Sequence, residues 1–366
     1  MSVPVAAAPQ ERITVDDRDR VVPPRPRDLT VGLVALGVVT AIGAALAGLV
    51  SGPVTIPAGD VVAALIDRLP FVSVEHGLST TSTTILFDIR APRVILGLAV
   101  GALLAGSGAS YQGVFRNPLA DPYLLGVAAG AGLGATLAIV TGTARLGAGF
   151  VLPAAAFAGA ILAVLATAGL SLRRGRPGGP AALILAGVAV AALLAAVQTY
   201  LLQRHADSLR VVYGWLLGRL STVGWAEVRI VLPILVVSAA VLILAAGAID
   251  VLAVGDEEAT TLGIRPGLTR ALVLAVASLA TATAVSVSGL IGFVGLIVPH
   301  GVRLIAGTRN RRVIPLSMLL GAAFLTLTDL VARTVQAPAE LPIGVITAFV
   351  GAPAFLLILR SQQGRA

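Results

Sequence analysis

Few residues in this chain have the types and spacing that chemistry needs, and the clearest pair is an aspartate four positions before an arginine. Asp329 and Arg333 lie in a strongly apolar stretch, and residues four apart share one face of a helix. An ionisable residue inside an apolar span suggests a site of proton transfer. An ion pair that orients Arg333 explains the same spacing, and we favour that interpretation over a proton relay.

Several other kinds of chemistry are excluded by residues that the chain lacks. It has no cysteine, so disulfides, thiolate metal sites and cysteine catalysis are ruled out. All 26 basic residues are arginine, whereas an ATP-binding loop of the GxxxxGK[ST] type requires lysine, so any ATP hydrolysis must come from another polypeptide. His76, His205 and His300 do not show metal-ligand spacing, and we expect no metal site.

The composition indicates that these residues belong to an integral membrane protein. Hydrophobic residues make up 57% of the chain and charged residues only 12%, about half the share in a soluble domain. The net charge of +8 then reflects membrane topology and not binding to nucleic acid. About ten apolar segments approach the roughly 20 residues of a spanning helix, which predicts an all-α, polytopic fold. They cover residues 29–51, 94–115, 121–143, 149–171, 181–203, 227–248, 267–287, 289–306, 314–334 and 342–360.

The spans form one transmembrane domain, residues 29–361, between an N-terminal tail (residues 1–28) and a short C-terminal tail (residues 362–366). Arginine is concentrated in the tails and in the loops on one predicted side, most densely at residues 309–312. Because cytoplasmic loops carry the excess of positive charge, both termini are predicted to be cytoplasmic.

A polar turn over residues 116–122 separates the second and third predicted spans. Pro118 and Pro122 prevent a continuous helix there, and Asp121 can cap the helix that follows. The 116–122 turn is therefore either a well-capped connector or part of a gate.

An acidic loop over residues 248–266 lies on the side where positive charge otherwise collects. Its segment GDEEATTLGI has an acidic triplet at residues 256–258 and a short helical pattern that ends at Gly263 and Pro266. A solvated acidic loop would explain the triplet, and a contact surface is the alternative.

Four sequence blocks resemble the FecCD-type permeases, the membrane subunits of ATP-binding-cassette importers for iron–siderophore complexes, haem and vitamin B12. The blocks are RAPRVILGLAVGALLAGSGASYQGVFRNPLADPYLLGVAAGAGLGA at 90–135, GDEEATTLGI at 255–264, SGLIGFVGLIVPHGVRLIAG at 288–307 and ELPIGVITAFVGAPAFLLILR at 340–360. Their order and spacing agree with that family. The resemblance implies an all-α permease of the type II importer kind, which is a transport subunit and not an enzyme.

The resemblance also implies that arginines at one end of the spans contact an external substrate-binding protein. In the family, arginines at the positions of Arg90, Arg93 and Arg333 receive glutamates from that protein. Snorkelling of arginine to lipid headgroups is the alternative explanation, but the charge rule disfavours arginine on the outer side. Exposed ion pairs of this kind would set register and encounter rate more than affinity.

At the opposite side the resemblance implies a gate and a contact with an ATPase. Asn117 and Leu119 would border the gate, facing the start of the fifth span at Pro180 and Ala181. The acidic loop would form a coupling helix that fits a cleft on each ATPase subunit. Its expected contact residues are Gly255, Asp256, Glu257, Ala259, Leu262 and Gly263.

The implied assembly contains a second permease subunit, identical or related, two ATP-binding subunits and an extracytoplasmic substrate-binding protein, in the lipid of a bacterial cytoplasmic membrane. This chain would hold no cofactor, and ATP and Mg²⁺ would be used by the partner ATPase. An iron–siderophore complex is the favoured substrate because it is the commonest in the family, while haem and vitamin B12 stay open. A secondary transporter driven by an ion gradient, with Asp329 as relay, is a further alternative; an intramembrane enzyme lacks the necessary residue groups.

Overall fold

The computed structural model describes residues 26–146, 149–172, 179–220 and 224–363, and within these ranges the chain is helical without β-strands. The predicted N-terminal tail lies almost entirely outside the described residues. The α-helices in chain order are α1 Pro26–Val50, α2 Ala58–Asp67, α3 Thr80–Thr84, α4 Ala91–Phe115, α5 Val127–Val140, α6 Val151–Ser171, α7 Pro180–Arg204, α8 Leu209–Leu216, α9 Ala226–Val254, α10 Asp256–Thr261, α11 Pro266–Ser288, α12 Val294–Ala306, α13 Asn310–Thr334 and α14 Ile343–Gln363. A π-helical turn, Ile85–Arg90, leads into α4, and a 3-10 turn, Pro122–Leu125, precedes α5.

Seven helices in the described part of the chain are long and apolar enough to cross a bilayer, namely α1, α4, α6, α7, α9, α11 and α13. The apolar stretches of α5, α12 and α14 are shorter. A helix satisfies its own backbone hydrogen bonds, which is what lipid requires of a spanning segment. The predicted all-α, polytopic fold is confirmed, whereas the predicted count of about ten spanning helices is not confirmed by length.

Helix α4 lies at the centre of the bundle. It is buried over nearly its whole length and packs against α1, α9, α11, α12 and α13. Small residues along α4 allow close approach of neighbouring backbones, as is typical of membrane helices. At Gly108 an added Cβ atom would lie 1.8 Å from the carbonyl oxygen of Gly295 on α12, so only glycine fits there.

Buried hydroxyl groups fix the register of α4 against α11. The Ser107 hydroxyl donates to the carbonyl oxygen of Ala277 at 3.0 Å, and the Tyr111 and Ser278 hydroxyl oxygens are 2.6 Å apart. Interhelical hydrogen bonds of this kind contribute about 0.6–2 kcal/mol each in a membrane. Sliding α4 by one residue would break both.

The 25 residues of α4 separate two polar regions by about 37 Å. The region with Arg90, Asp329 and Glu340 is called the Asp329 end below. The opposite region, with the 116–122 turn and α10, is called the Asp256 end.

Candidate functional site

At the Asp329 end, Arg90 is tied to the last turn of α1. Its Nη1 donates to the carbonyl oxygens of Leu49 and Val50, both at 2.8 Å, and its Nη2 donates to the carbonyl oxygen of Val54. The final carbonyl groups of a helix have no partner within it and carry partial negative charge, so a guanidinium group suits them. Arg90 is only 3% exposed as a result.

Arg93 lies between two carboxylates that come from distant parts of the chain. Its Nη2 is 2.8 Å from an Asp329 oxygen, and its Nη1 is 2.7 Å from a Glu340 oxygen. Asp329 is almost completely buried, whereas the Glu340 side chain is 47% exposed. The hydrogen bond from Arg93 holds the pKa of the Glu340 carboxyl below its ordinary value.

Arg333 completes this cluster from α13. Its Nε lies 3.7 Å from Asp329 in the predicted ion pair between residues four apart, and its Nη2 donates to the carbonyl oxygen of Gly48. The predicted ion pair is therefore present, but Asp329 makes its shorter contact with Arg93. Sequence reasoning missed this contact and the part played by Glu340, although Glu340 opens the fourth block that carries the family resemblance.

The three arginines predicted to dock a binding protein are thus brought together and are held by internal partners in this structure. Arg90 and Arg333 are buried, and the side chain of Arg93 is 14% exposed. Their docking role stays a prediction, and Arg93 with its neighbour Glu340 is the part of the cluster that reaches the surface.

The 116–122 turn follows α4 at the Asp256 end. Arg116 ends the helix in the left-handed conformation, with φ at 50°. The Asn117 side chain then accepts a hydrogen bond from the Leu119 amide at 2.9 Å, and the Asp121 carboxylate accepts one from the Tyr123 amide at 2.7 Å. The predicted cap at Asp121 is confirmed, and the side chains of Asn117 and Asp121 accept hydrogen bonds from the backbone just after them.

The predicted facing of Asn117 and Leu119 by the start of the fifth span is not tested by the described residues. Ala181 is exposed, and the side chain of Pro180 lies outside the described residues. Helix α7 packs against the 3-10 turn Pro122–Leu125. At Gly187 of α7, an added Cβ atom would lie 2.0 Å from the carbonyl oxygen of Leu124. The gate assignment stays a prediction.

The predicted eighth span, residues 289–306, is helical only from Val294 onwards. Gly289 has φ at 70° and Phe293 has φ at 69°. Positive φ is costly for any residue other than glycine, and therefore for Phe293. The Tyr123 hydroxyl donates to the carbonyl oxygen of Ile291 at 2.9 Å and accepts from its amide at 3.2 Å. Non-helical backbone within a membrane bundle needs such partners because lipid offers none.

Two mostly apolar cavities flank this interruption. One of about 650 Å³ is lined by α8, α14 and residues 290–293, and another of about 460 Å³ by α7, Asp121, Tyr123 and residues 292–293. Both include Gly292 and Phe293 in their walls. The interruption of the eighth apolar segment therefore shapes the open surface between α7 and α14.

The acidic loop forms the short helix α10, and Gly263 follows it with φ at 79°, as predicted. Ala259 is fully buried against the bundle, while Leu262 is 68% exposed and Glu257 is also exposed. Asp256 is paired with Arg116 at 3.1 Å and with Arg270 at 2.5 Å. The predicted coupling residues thus divide into an anchored set and an exposed set.

Side chains that bind metal ions are not clustered in the described part of the chain. No three histidine, aspartate or glutamate side chains there are grouped so that they could hold a metal ion. His300 lies near Arg303, which also disfavours a cation at that position.

Comparison with known proteins gives one consistent result. A sequence model of the FecCD transport family matches residues 39–361. The chain is 45% identical over 292 residues to a cobalamin import system permease protein of Halobacterium salinarum, covering 80% of this chain and 78% of the relative. It is 41% identical over 282 residues to the Fe(3+) dicitrate transport system permease protein FecD of Escherichia coli, covering 75% and 85%. An inward-facing structure of a transporter assigned to the metal-chelate type matches with a TM-score of 0.77 and 29% identity, covering 92% of this chain and 100% of the other.

Proposed function

The chain belongs to the FecCD transport family of ATP-binding-cassette importer permeases, and from that premise we propose that it carries an iron–siderophore complex across the bacterial cytoplasmic membrane. The observation that carries the transport part of the proposal is the course of α4, which runs unbroken from the arginine cluster at the Asp329 end to the 116–122 turn. A binding protein at one end and an ATPase at the other would therefore act on the same rigid helix. The choice of substrate rests on iron–siderophore complexes being the commonest in the family.

We place the Asp329 end outside the cell and the Asp256 end in the cytoplasm, with both termini cytoplasmic. This orientation follows the arginine-rich loops and puts α10 where an ATPase can reach it. The exposed Leu262 and Glu257 are the contacts we assign to each ATPase subunit, which binds the ATP and Mg²⁺. A second permease subunit would face the open surface between α7 and α14.

The docking cluster would work by exchange of carboxylates. A glutamate of the binding protein would replace Glu340 on Arg93, while Arg90 and Arg333 keep the cluster in place and add positive potential. Exposed ion pairs are worth only about 0.2–1 kcal/mol, so this exchange costs little and docking is governed mainly by encounter rate.

A charge reversal tests the docking proposal. Arg93→Glu is expected to abolish stimulation of ATP hydrolysis by the binding protein, whereas Arg210→Glu, at an exposed arginine elsewhere on the same proposed side, should preserve it. Glu340→Gln, which removes the charge that competes for Arg93, should strengthen binding. Stimulation that survives Arg93→Glu would show that docking lies elsewhere.

The burial of Asp329 argues against the alternative of a secondary transporter driven by an ion gradient. Asp329 is 2% exposed, and its carboxylate oxygens contact Arg93 at 2.8 Å and Arg333 at 3.7 Å, which is the arrangement of an orienting ion pair. Uptake that persists with an inactive ATPase partner would support that alternative and contradict the importer proposal.

The substrate is decided by uptake into vesicles that contain the permease, its ATPase and its binding protein. Labelled ferric siderophore, haem and cobalamin are compared with ATP and with a non-hydrolysable analogue. Cobalamin is the second candidate, because the relative with 45% identity is a cobalamin permease. ATP-dependent uptake of cobalamin but not of ferric siderophore would contradict the substrate proposed here.

A further inference from the structure

The carboxylate of Asp256 is held by two arginines that belong to different elements. Arg270, in the second turn of α11, donates from both terminal nitrogens to the two carboxylate oxygens at 2.7 and 2.5 Å. Arg116, at the end of α4, donates to Oδ1 at 3.1 Å and also to the carbonyl oxygen of Leu252 on α9. One carboxylate therefore joins the first residue of α10 to the first residue of the 116–122 turn.

The attachment of Asp256 leaves other residues of the α10 segment exposed to solvent. Ala259 is buried against the bundle on the same side as Asp256. The Glu258 side chain folds back on Gly255, where a Cβ atom would lie 1.7 Å from its Oε2. Glu257, and Leu262 just after α10, remain exposed. A partner can therefore contact these exposed residues without displacing the ion pairs of Asp256.

The backbone at Arg116 indicates that its side chain is needed. The position after a helix in the left-handed conformation is most often glycine, sometimes asparagine, because other side chains cost about 1–2 kcal/mol there. Arg116 has φ at 50° and carries a long charged side chain at this position. That side chain makes the contacts with Asp256 and Leu252 that a glycine would lose.

We infer that Arg116 and Asp256 form the link by which movement of α10 reaches the 116–122 turn, with Arg270 positioning the carboxylate. The inference rests on the proposed function, in which α10 contacts the ATPase, and on the prediction that Asn117 and Leu119 in the turn border the gate. Arg116 acts here as a positioning residue.

The exposure of the Arg116–Asp256 pair and the cavity beside it are consistent with a role in transmitting movement. The side chains of Arg116 and Asp256 are 42% and 53% exposed, so the pair adds little to the stability of the fold. Substitutions at the pair can therefore test the transmission of movement without unfolding the chain. A cavity of about 490 Å³ beside the pair, lined by Phe115, Arg116, Glu257 and Arg270 among others, leaves room for α10 to move.

The test uses the natural absence of cysteine from this chain. A single cysteine at Leu119 reports on the turn through its rate of labelling by a maleimide in the complete transporter. Labelling is compared without nucleotide and after trapping with ATP and vanadate. With Arg116 present, the two rates are expected to differ several-fold.

Arg116→Gln is expected to reduce this difference to less than twofold and to lower substrate uptake per ATP hydrolysed by about tenfold. Arg116→Lys, which keeps the charge, should restore much of the response. Arg265→Gln, at an exposed arginine close to α10, is the control and should leave the response intact. Asp256→Asn breaks the same link from its other side and carries the test if Arg116→Gln does not assemble with the ATPase.

The outcomes separate the link from the proposed function. A full nucleotide response in both Arg116→Gln and Asp256→Asn would overturn the link and leave the gate in place. A cysteine at Leu119 that never responds, even with Arg116 present, would overturn the gate and the link together.

Discussion

Removing the charge of Asp329 should destabilise the protein far more than removing that of Glu340, although both carboxylates pair with Arg93. Asp329 is 2% exposed and contacts Arg93 at 2.8 Å and Arg333 at 3.7 Å. Asp329→Asn keeps the shape of the side chain but leaves Arg333 without a carboxylate. Breaking one side of a buried ion pair typically costs about 3–5 kcal/mol.

The corresponding change at Glu340 acts on an exposed pair. Nearly half of the Glu340 side chain is open to solvent, and Arg93 keeps its contacts with Asp329 when the charge is removed. Glu340→Gln should therefore cost no more than about 1 kcal/mol. The expected difference between the two substitutions is about 2–4 kcal/mol.

Thermal unfolding of the purified protein in detergent measures this difference. With about 2.1 cal/mol/K of unfolding entropy per residue, a loss of about 3–5 kcal/mol lowers Tm by about 4–7 °C for a chain of 366 residues. Asp88→Asn, the same change at an exposed aspartate, is the matched control and should shift Tm by less than 1 °C by the same arithmetic. Adding Arg93→Gln to Asp329→Asn should cost less than the sum of the two single changes, because both act on one contact.

Equal, small decreases in Tm for Asp329→Asn and Glu340→Gln would contradict this prediction. Such a result would mean that water or lipid headgroups already screen the Asp329 end, and that the burial of this cluster has little energetic effect.

Three further substitutions and one pH effect follow from the structure. Gly108→Ala places a methyl group 1.8 Å from a carbonyl oxygen of α12 and should cost at least the 1–3 kcal/mol or so typical of overpacking, seen as loss of folded yield. Tyr123→Phe leaves one amide and one carbonyl group of the broken span without its partner, at about 1–3 kcal/mol, and should speed hydrogen exchange at that amide. Leu262→Glu should weaken co-purification of the ATPase while leaving Tm within about 1 °C, because this side chain is 68% exposed. The bond from Arg270 lowers the pKa of Asp256, so its ion pairs should persist at pH 5 and be lost only as the pH falls below about 4, measurable by titration of that carboxyl group.

Local signals in the sequence predicted most helices to within a few residues. Helix α11, predicted over 267–287, runs over Pro266–Ser288, and α6, predicted over 149–171, runs over Val151–Ser171. Proline, glycine and capping aspartate act on neighbouring backbone, so their effect can be read without knowledge of the fold. The cap at Asp121 and the termination of α10 before Gly263 were predicted for this reason.

The interruption before α12 could not be predicted in the same way. An apolar segment looks the same whether it is helical or extended, and what decides is whether other groups satisfy its backbone. Here the Tyr123 hydroxyl does so for Ile291 from 168 positions away in the chain. The glycines in this segment were the only local sign of the break.

The sequence by itself determined that the chain is a helical membrane protein, that it lacks the lysine of a GxxxxGK[ST] ATP-binding loop, and where its polar turns lie. Those properties depend on composition and on contacts between near neighbours. Only the tertiary structure decided how its charges are matched. Arg93 meets Asp329 and Glu340 across 236 and 247 positions, and Arg116 meets Asp256 across 140. Such partners are chosen by the packing of the helices around α4, because a buried or surface charge pairs with whatever opposite charge the fold brings within reach.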